Sequence, residues 1–338
     1  MTSGDSFEWQ RIVSLINLLG DNNYKSGEEL GNQLEISRAG IWKYIKKIEQ
    51  LGISVESVKG KGYRLTKKLS LLTNQKIKNS LTADVLANIS SLDLFPTIDS
   101  TNNYLLGLQN IQGKVCLAEQ QTAGRGRRGR EWVSPFAQNI YLSIGWCFES
   151  GIAAVKGLSL AVGIAIAKAL REHQIENLNF KWPNDLVVPC ENEQGYKKLA
   201  GILIELRGDI SGACEIIVGV GMNYQMTSSE ITSIGQPWID LNSISAENLP
   251  ERNKLVASLI NNIVSLLKDF EQKTFAYYRK EWESLNVHYQ QTIVVSQGDE
   301  TIEGKFFGLN DEGALVLLTS TGKKMLFNGG EVSLRKLA

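Results

Sequence analysis

The 338-residue chain holds only four cysteines, Cys116, Cys147, Cys190 and Cys214, spaced 31, 43 and 24 residues apart. No Cys-x-x-Cys pair occurs, so neither a zinc ribbon nor a disulfide framework is expected, and reduced thiols are the default. Two histidines, His173 and His288, are too few for a histidine metal cluster, so no metal ligand is assigned. The longest apolar stretch, Ile152 to Leu170, is interrupted by Lys156 and Lys168, which excludes a membrane span. The opening MTSGDSFEWQ is too acidic and polar for a signal peptide, and a cytoplasmic protein with no membrane partner is expected. A surplus of one charge is also missing: 36 Lys+Arg balance 36 Asp+Glu. That excludes holding a polyanion by bulk charge but leaves room for a local basic patch. No Walker A motif appears, which argues against a P-loop kinase or ATPase.

What is present is uneven in a useful way. Residues 1–37 carry two basic and six acidic side chains, and residues 38–68 carry nine basic and two acidic. Within this region Ile12, Val13, Ile16 and Leu19 recur at helical spacing and are closed by Gly20. Ser26 with Glu29 forms a capping box before Leu30 and Leu34. Ser37 caps a third helix buried through Ile41, Ile45 and Ile48, with Ala39, Lys43, Lys46 and Gln50 opposite that stripe and Lys47 to one side. Ile53 to Val58 and Gly62 to Leu65 read as strands around Lys59-Gly60-Lys61. Three helices and a lysine-tipped hairpin are the layout of a winged helix-turn-helix. The expected DNA contacts are Ser37, Arg38, Lys43, Lys46, Lys47, Lys59 and Lys61. A three-helix interaction domain with a solvated lysine face is the plainer alternative.

The remainder divides at about residue 286, giving expected domains of 1–68, 69–286 and 287–338. In the middle, Val115–Glu119, Ile140–Trp146, Leu178–Trp182, Leu199–Leu206 and Glu215–Val220 read as strands, and Leu158–His173 and Asn253–Glu271 as helices. A mixed sheet with flanking helices is the natural packing, making the whole a multidomain α+β protein. From Gln291 onward short strands alternate with glycine turns at Gly298, Gly308, Gly313, Gly322 and Gly329-Gly330, which predicts a small SH3-like β-barrel.

The most unusual stretch is Gly124-Arg125-Gly126-Arg127-Arg128-Gly129-Arg130. It matches G-x-G-x-x-G, but a Rossmann loop opens a helix, whereas Pro135 and the strand Ile140–Ile144 follow here. Four guanidinium groups on glycine-rich backbone instead suit a polyanion such as a nucleotide triphosphate, bound by a loop that orders around its ligand. A solvated nucleic-acid contact is the alternative. Asp99-Ser100-Thr101-Asn102 is a cluster of short hydrogen-bonders, suited to a helix cap or a polar ligand. Lys181-Trp182-Pro183-Asn184-Asp185 sets a base and a carboxylate four apart at a strand end, and Lys198 stands just before the apolar run Leu199–Ile202.

In this order, these segments resemble the bifunctional biotin protein ligases and biotin operon repressors of bacteria. The resemblance spans nearly the whole chain: Ser26-Gly27-Glu28 and Ser37-Arg38-Ala39, Gly60-Lys61-Gly62-Tyr63, Asp99 to Asn102, Gly124 to Arg130 with Trp132, Lys181 to Asp185, Lys198 to Leu203, Gly219 to Asn223, and Gly329 to Arg335. It implies two half-reactions. Biotin and ATP with Mg²⁺ give biotinyl-5′-adenylate and pyrophosphate, and a lysine of biotin carboxyl carrier protein then takes the biotin. Building negative charge on the α-phosphate calls for preorganised cations rather than a nucleophilic side chain.

By resemblance, Ser100, Thr101, Asn102 and Gln121 hydrogen-bond the biotin head group or its surroundings. Gly124, Arg125, Gly126 and Arg127 belong to the loop that folds over biotin and the adenylate, with Arg125 and Arg127 catalytic. Lys198, beside Gly201, holds the biotin carboxylate and α-phosphate, Trp238 packs on adenine, and Arg335 reaches the nucleotide phosphates. Asp185 is the candidate to orient or deprotonate the acceptor lysine. The resemblance also implies an adenylate-bound homodimer on operator DNA, with the adenylate as co-repressor. Two departures are expected to alter the surface: a long stretch between Asp185 and Lys198, and a serine- and threonine-rich segment from Met222 to Pro237. The competing readings are a lipoate-protein ligase, a ligand sensor with an inactive enzyme domain, and a nucleic-acid-modifying enzyme clamping with the arginine loop.

Overall fold

A computed structural model describes residues 3–190, 195–208, 212–226, 234–297, 300–329 and 332–336. Three helices, α1 (Ser3–Leu19), α2 (Gly27–Leu34) and α3 (Arg38–Gln50), bury Leu15, Ile16, Leu19, Leu30, Ile41, Ile45 and Ile48 against one another. Ser26 Oγ accepts from the Glu29 amide at 3.0 Å and Ser37 Oγ from the Gly40 amide at 3.1 Å, each satisfying an amide that a helix start leaves open. Strands β1 (Val55–Val58) and β2 (Gly62–Leu65) pair antiparallel around the lysine turn. Reciprocal backbone bonds of 2.9 Å between Tyr63 and Lys25 stitch β2 to the residues before α2. A side chain at Gly62 would overlap the Lys25 carbonyl, and its φ is +110°, so this approach requires glycine. The winged arrangement is the one the sequence predicts.

Two short helices that the periodicity did not disclose, α4 (Asn74–Lys78) and α5 (Ala83–Asn88), lead into β3 (Ser91–Ile98), α6 (Thr101–Leu106), β4 (Lys114–Gln121) and β5 (Asn139–Phe148). After α7 (Gly151–Ala154) and α8 (Leu158–Arg171) come β6 (Asn179–Lys181), β7 (Asp185–Pro189), β8 (Tyr196–Gly208) and β9 (Cys214–Asn223), then α9 (Leu241–Ile244) and α10 (Arg252–Ser284). The sheet runs β3-β4-β5-β9-β8-β7-β6, parallel only between β3 and β4. Helices α8 and α10 pack together against it.

Two expected elements have other bounds, and the long stretch before Lys198 takes a definite form. The last helix runs thirteen residues past Glu271 to Ser284, because Phe275 and Trp282 resume the buried stripe beyond a non-helical Thr274. The strand expected over Leu178–Trp182 is only Asn179–Lys181, since Trp182 to Asn184 turn the chain into β7. The stretch between Asp185 and Lys198 is largely a hairpin, β7 against β8; its residues 191–194 lie outside those described.

The carboxy-terminal strands are β10 (Thr292–Gln297), β11 (Glu300–Leu309), β12 (Leu315–Leu318), β13 (Lys324–Phe327) and β14 (Val332–Lys336), in antiparallel order β13-β12-β11-β10-β14. The expected barrel is therefore an open sheet: β13 and β14 stand at opposite edges and do not pair with each other. Gly308 lies within β11 at a register shift rather than in a turn. Gly298 and Gly330 are outside the described residues. Ile293, Val295, Phe306 and Leu317 join the same continuous core as the central sheet and its helices. Among the described residues no helix is long and apolar enough to cross a membrane.

The link between the winged module and the sheet is buried and polar. Arg252, at the start of α10, is fully buried and pairs with Glu119 of β4 at 2.5 Å. It also donates to the carbonyls of Ser70 and Asn139, while Glu119 accepts from the Leu72 amide at 2.6 Å. Asn253 takes the Thr73 amide and donates to the Leu71 carbonyl. From the other side Phe136, just before β5, enters the winged module's core and meets Trp9 edge-on at 5.8 Å between centroids. Removing one member of a buried pair leaves an uncompensated charge. Arg252→Ala is therefore expected to cost about 3–5 kcal/mol, read from urea unfolding midpoints; an unchanged midpoint would show that water or repacking replaces the pair.

Candidate active site

A cavity of about 340 Å³ opens over the sheet where β4, β8 and β9 meet the arginine-glycine loop. Its base is made of glycines. A side chain at Gly219 would overlap Asn102 Oδ1, one at Gly221 would come within 2.5 Å of the Trp132 ring, and one at Gly201 would crowd both Trp132 and Lys198. Trp132, in the arm that follows the loop, therefore packs closely against bare backbone, and Gly124 approaches Ser134 and the Trp132 carbonyl too closely for any larger residue.

One group of lining residues is uncharged and rigidly connected. Ser100 caps α6, so Thr101 and Asn102 sit on its buried first turn. Gln121, at the end of β4, accepts from the Thr101 amide (2.9 Å) and hydroxyl (3.1 Å) and donates to Ser134. Ser143 of β5 reaches Thr101 Oγ1 at 2.7 Å and Asn102 Oδ1 at 2.5 Å, while Asn102 Nδ2 donates to Glu205 at 2.7 Å. Every one of these orientations is set by a neighbour, as a site for a small polar ligand demands.

A second group is charged. Lys198 Nζ stands 2.7 Å from Asp185 Oδ1, both largely shielded, and 5.2 Å above the Trp132 ring. Arg127 donates to Asn184 Oδ1 at 3.0 Å, and Asn184 is itself tied to the Ile202 carbonyl. Burial pulls the Arg127 guanidinium below its ordinary value, opposed by the Asp185 carboxylate. Arg127 Nη2 and Trp132 Nε1 are buried donors with no protein acceptor, the condition of groups that meet a ligand. Arg125 turns elsewhere: it pairs with Glu205 at 3.0 Å and bonds Asn103, latching the loop to α6 and β8. Two cations converging under a bound chain of atoms suit a carboxylate or phosphate.

The structure thus brings together Ser100, Thr101, Asn102, Gln121, Arg125, Gly126, Arg127, Asp185, Lys198 and Gly201. Among the described residues Gly124 and Trp238 lie outside the lining: Gly124 is beneath it, and Trp238 pairs through its backbone beside Lys198. Arg335 is on β14 opposite Val294, and its side chain lies outside the described residues. Trp132, Gly219 and Gly221 belong to segments that carry the resemblance but receive no role from the sequence, and Ser143 and Glu205 are not singled out by it at all. Alternate glycines in a strand mark a backbone something must approach, a signal available at Gly219 and Gly221; Ser143 and Glu205 carried none. In the winged module Arg38, Lys43, Lys46, Lys47, Lys59 and Lys61 are exposed; Lys46 pairs with Glu49 at 2.7 Å, Lys47 pairs with Glu8 of α1, and Ser37 spends its hydroxyl on the cap.

Three family models match separate stretches of the chain. The biotin/lipoate A/B protein ligase family model matches residues 94–223, a helix-turn-helix model residues 11–64, and the biotin protein ligase carboxy-terminal domain residues 290–335. The bifunctional ligase/repressor BirA of Escherichia coli is 41% identical over 96% of this chain and 97% of its own. The chain belongs to the family of bifunctional biotin ligase/repressors. The Bacillus subtilis member is 26% identical over 94% of this chain and 96% of its own. The biotin protein ligase of Aquifex aeolicus, solved in complex with biotin and ATP, superposes with a TM-score of 0.62 at 29% identity, over 74% of this chain and all of that one. In this family member every cavity-lining residue but Gln236 falls within the ligase match. Because Gly221 has no room for a methyl group, Gly221→Ala is expected to cost about 1–3 kcal/mol in denaturant unfolding. A variant as stable as the parent would show that Trp132 is not seated on that strand.

Proposed function

We propose that the chain joins biotin to a protein lysine in two steps and represses transcription with the intermediate. In the first step an oxygen of the biotin carboxylate attacks the α-phosphorus of ATP, the bond to the bridging oxygen breaks, and pyrophosphate leaves. Lys198 and Arg127 hold the charge that gathers on the carboxylate and α-phosphate oxygens, and Trp132 covers the reacting centre. Ser100, Thr101, Asn102 and Gln121 hold the uncharged head group in a network that needs no rearrangement. Arg125 acts here through Glu205, holding the loop closed. Mg²⁺ is read as the counter-ion of the ATP phosphates: among the described residues no three acidic, histidine or cysteine side chains gather into a metal cage, and Mg²⁺ is commonly held by substrate phosphates with one or two carboxylates.

In the second step the ε-amine of a biotin carboxyl carrier lysine attacks the acyl carbon, the bond from that carbon to the phosphate oxygen breaks, AMP leaves, and the proton lost by the amine passes to the Asp185 carboxylate or through it to water. The amine is mostly ammonium near neutral pH, and Asp185 is placed in the role of orienting it. Once adenylate occupies the cavity, two copies of the chain pair and present two winged modules to a palindromic operator.

The observation that carries this reading is the pairing of Lys198 and Asp185 with the partnerless Arg127 Nη2 over a glycine base. Incubating the protein with biotin, α-labelled ATP and Mg²⁺ is expected to yield biotin-dependent labelled adenylate and pyrophosphate, and a carrier domain to take up the biotin on one lysine as labelled AMP is released. Biotin binding without adenylate would favour a sensor. Arg127→Ala is expected to slow adenylate formation about 10²–10³-fold, the scale of one lost preorganised donor. Asp185→Asn is expected to slow transfer from preformed adenylate; unchanged transfer would remove Asp185 from that role.

A further inference from the structure

Six of the seven tryptophans are buried or half-buried, but Trp42 on α3 is 54% exposed. An exposed indole on a helix with a well-filled apolar face offers area that a partner gains free energy by covering. Its neighbours narrow the partner down. Residues four apart on a helix are adjacent, so Arg38 and Lys46 flank Trp42 on either side, with Lys43 next to it; all three are exposed. The buried Ile41, Ile45 and Ile48 lie about a quarter turn round the helix and face the module's core. An apolar plate between cations does not suit a protein surface that is apolar throughout, nor a purely ionic one. It suits a groove with phosphates along both walls and apolar groups on its floor, and the major groove of B-DNA has this form: its floor carries the C5-methyl groups of thymine.

We infer that Trp42 is a specificity-determining residue of the DNA-binding module and reads thymine methyl groups in the major groove. Arg38, Lys43 and Lys46 position the helix on the backbone and carry no sequence information, whereas the indole does. This rests on the repressor reading above, and the test separates the two.

Duplexes are selected from a random pool with the full-length protein in the presence of biotin, ATP and Mg²⁺. Each thymine of the selected site is then replaced by deoxyuridine, which deletes the methyl group and nothing else. Wild type is expected to lose roughly fourfold in affinity per contacted methyl. Trp42→Ala is expected to bind the thymine duplex more weakly and to be indifferent to the replacement, with the salt slope unchanged, while Lys43→Ala lowers that slope by about one. Trp42→Phe keeps a face for the methyl and should restore the sensitivity, and biotin ligation by all three variants should be unaltered.

Wild-type binding that ignores every methyl, or methyl sensitivity that persists in Trp42→Ala, would overturn the inference. So would a Trp42→Ala variant whose only change is weaker self-association by sedimentation, which would make Trp42 a contact between copies. A pool that yields no common sequence would remove the repressor reading and this inference with it; a common sequence read without its methyls would remove the inference alone.

Discussion

The buried contact between Glu119 and Arg252 ties together parts of the chain that are far apart in sequence. Glu119 lies on β4 two residues before Gln121, which orients Thr101 in the cavity. Arg252 begins the longest helix and grips β5 through the Asn139 carbonyl. The same pair holds Ser70 and Leu72 in the segment leaving the winged module. A buried ion pair is weak evidence for net stability, since the desolvation of both partners offsets their attraction. Its value here is in specifying where the connector runs relative to the sheet.

That placement gives the chain's two activities a physical connection. The arm carrying Trp132 passes from the cavity through Ser134 and Pro135 to Phe136, whose ring is in the winged module's core. A ligand that settles Trp132 and the arginine loop thus acts on a segment packed against the DNA-binding domain. A filled core does not deform continuously, so a movement of this arm would be felt where Phe136 packs.

How much of this could be read beforehand depended on whether the information was local. The winged module was legible almost residue by residue, since caps at Ser26 and Ser37, an isoleucine stripe and a glycine-bounded lysine turn are all short-range signals. The charged half of the site was legible too, because an arginine-glycine run and a lysine before an apolar strand are rare. The glycine base is not recognisable as one, although Gly219 and Gly221 alternate: its meaning depends on Trp132, which lies 87 and 89 residues earlier in the chain. Glu205 gave nothing, being one acid in an apolar strand whose partners are assembled only by the sheet. The same reasoning explains the shortened helix expected over Asn253–Glu271, where a polar step at Lys273 and Thr274 hid the return of the stripe. It also explains the expected barrel, since strand alternation says nothing about whether the outer strands meet.

In the proposed function, one small molecule made in the cavity governs what the winged module does. The most direct measurement is the affinity of the full-length protein for its selected operator duplex, titrated with biotin and Mg-ATP present and again with both withheld. Occupancy of the cavity should tighten operator binding and make its concentration dependence steeper, as pairing of two copies requires. Equal curves under the two conditions would contradict the claim, leaving a ligase and a DNA-binding module that share a chain without sharing a signal.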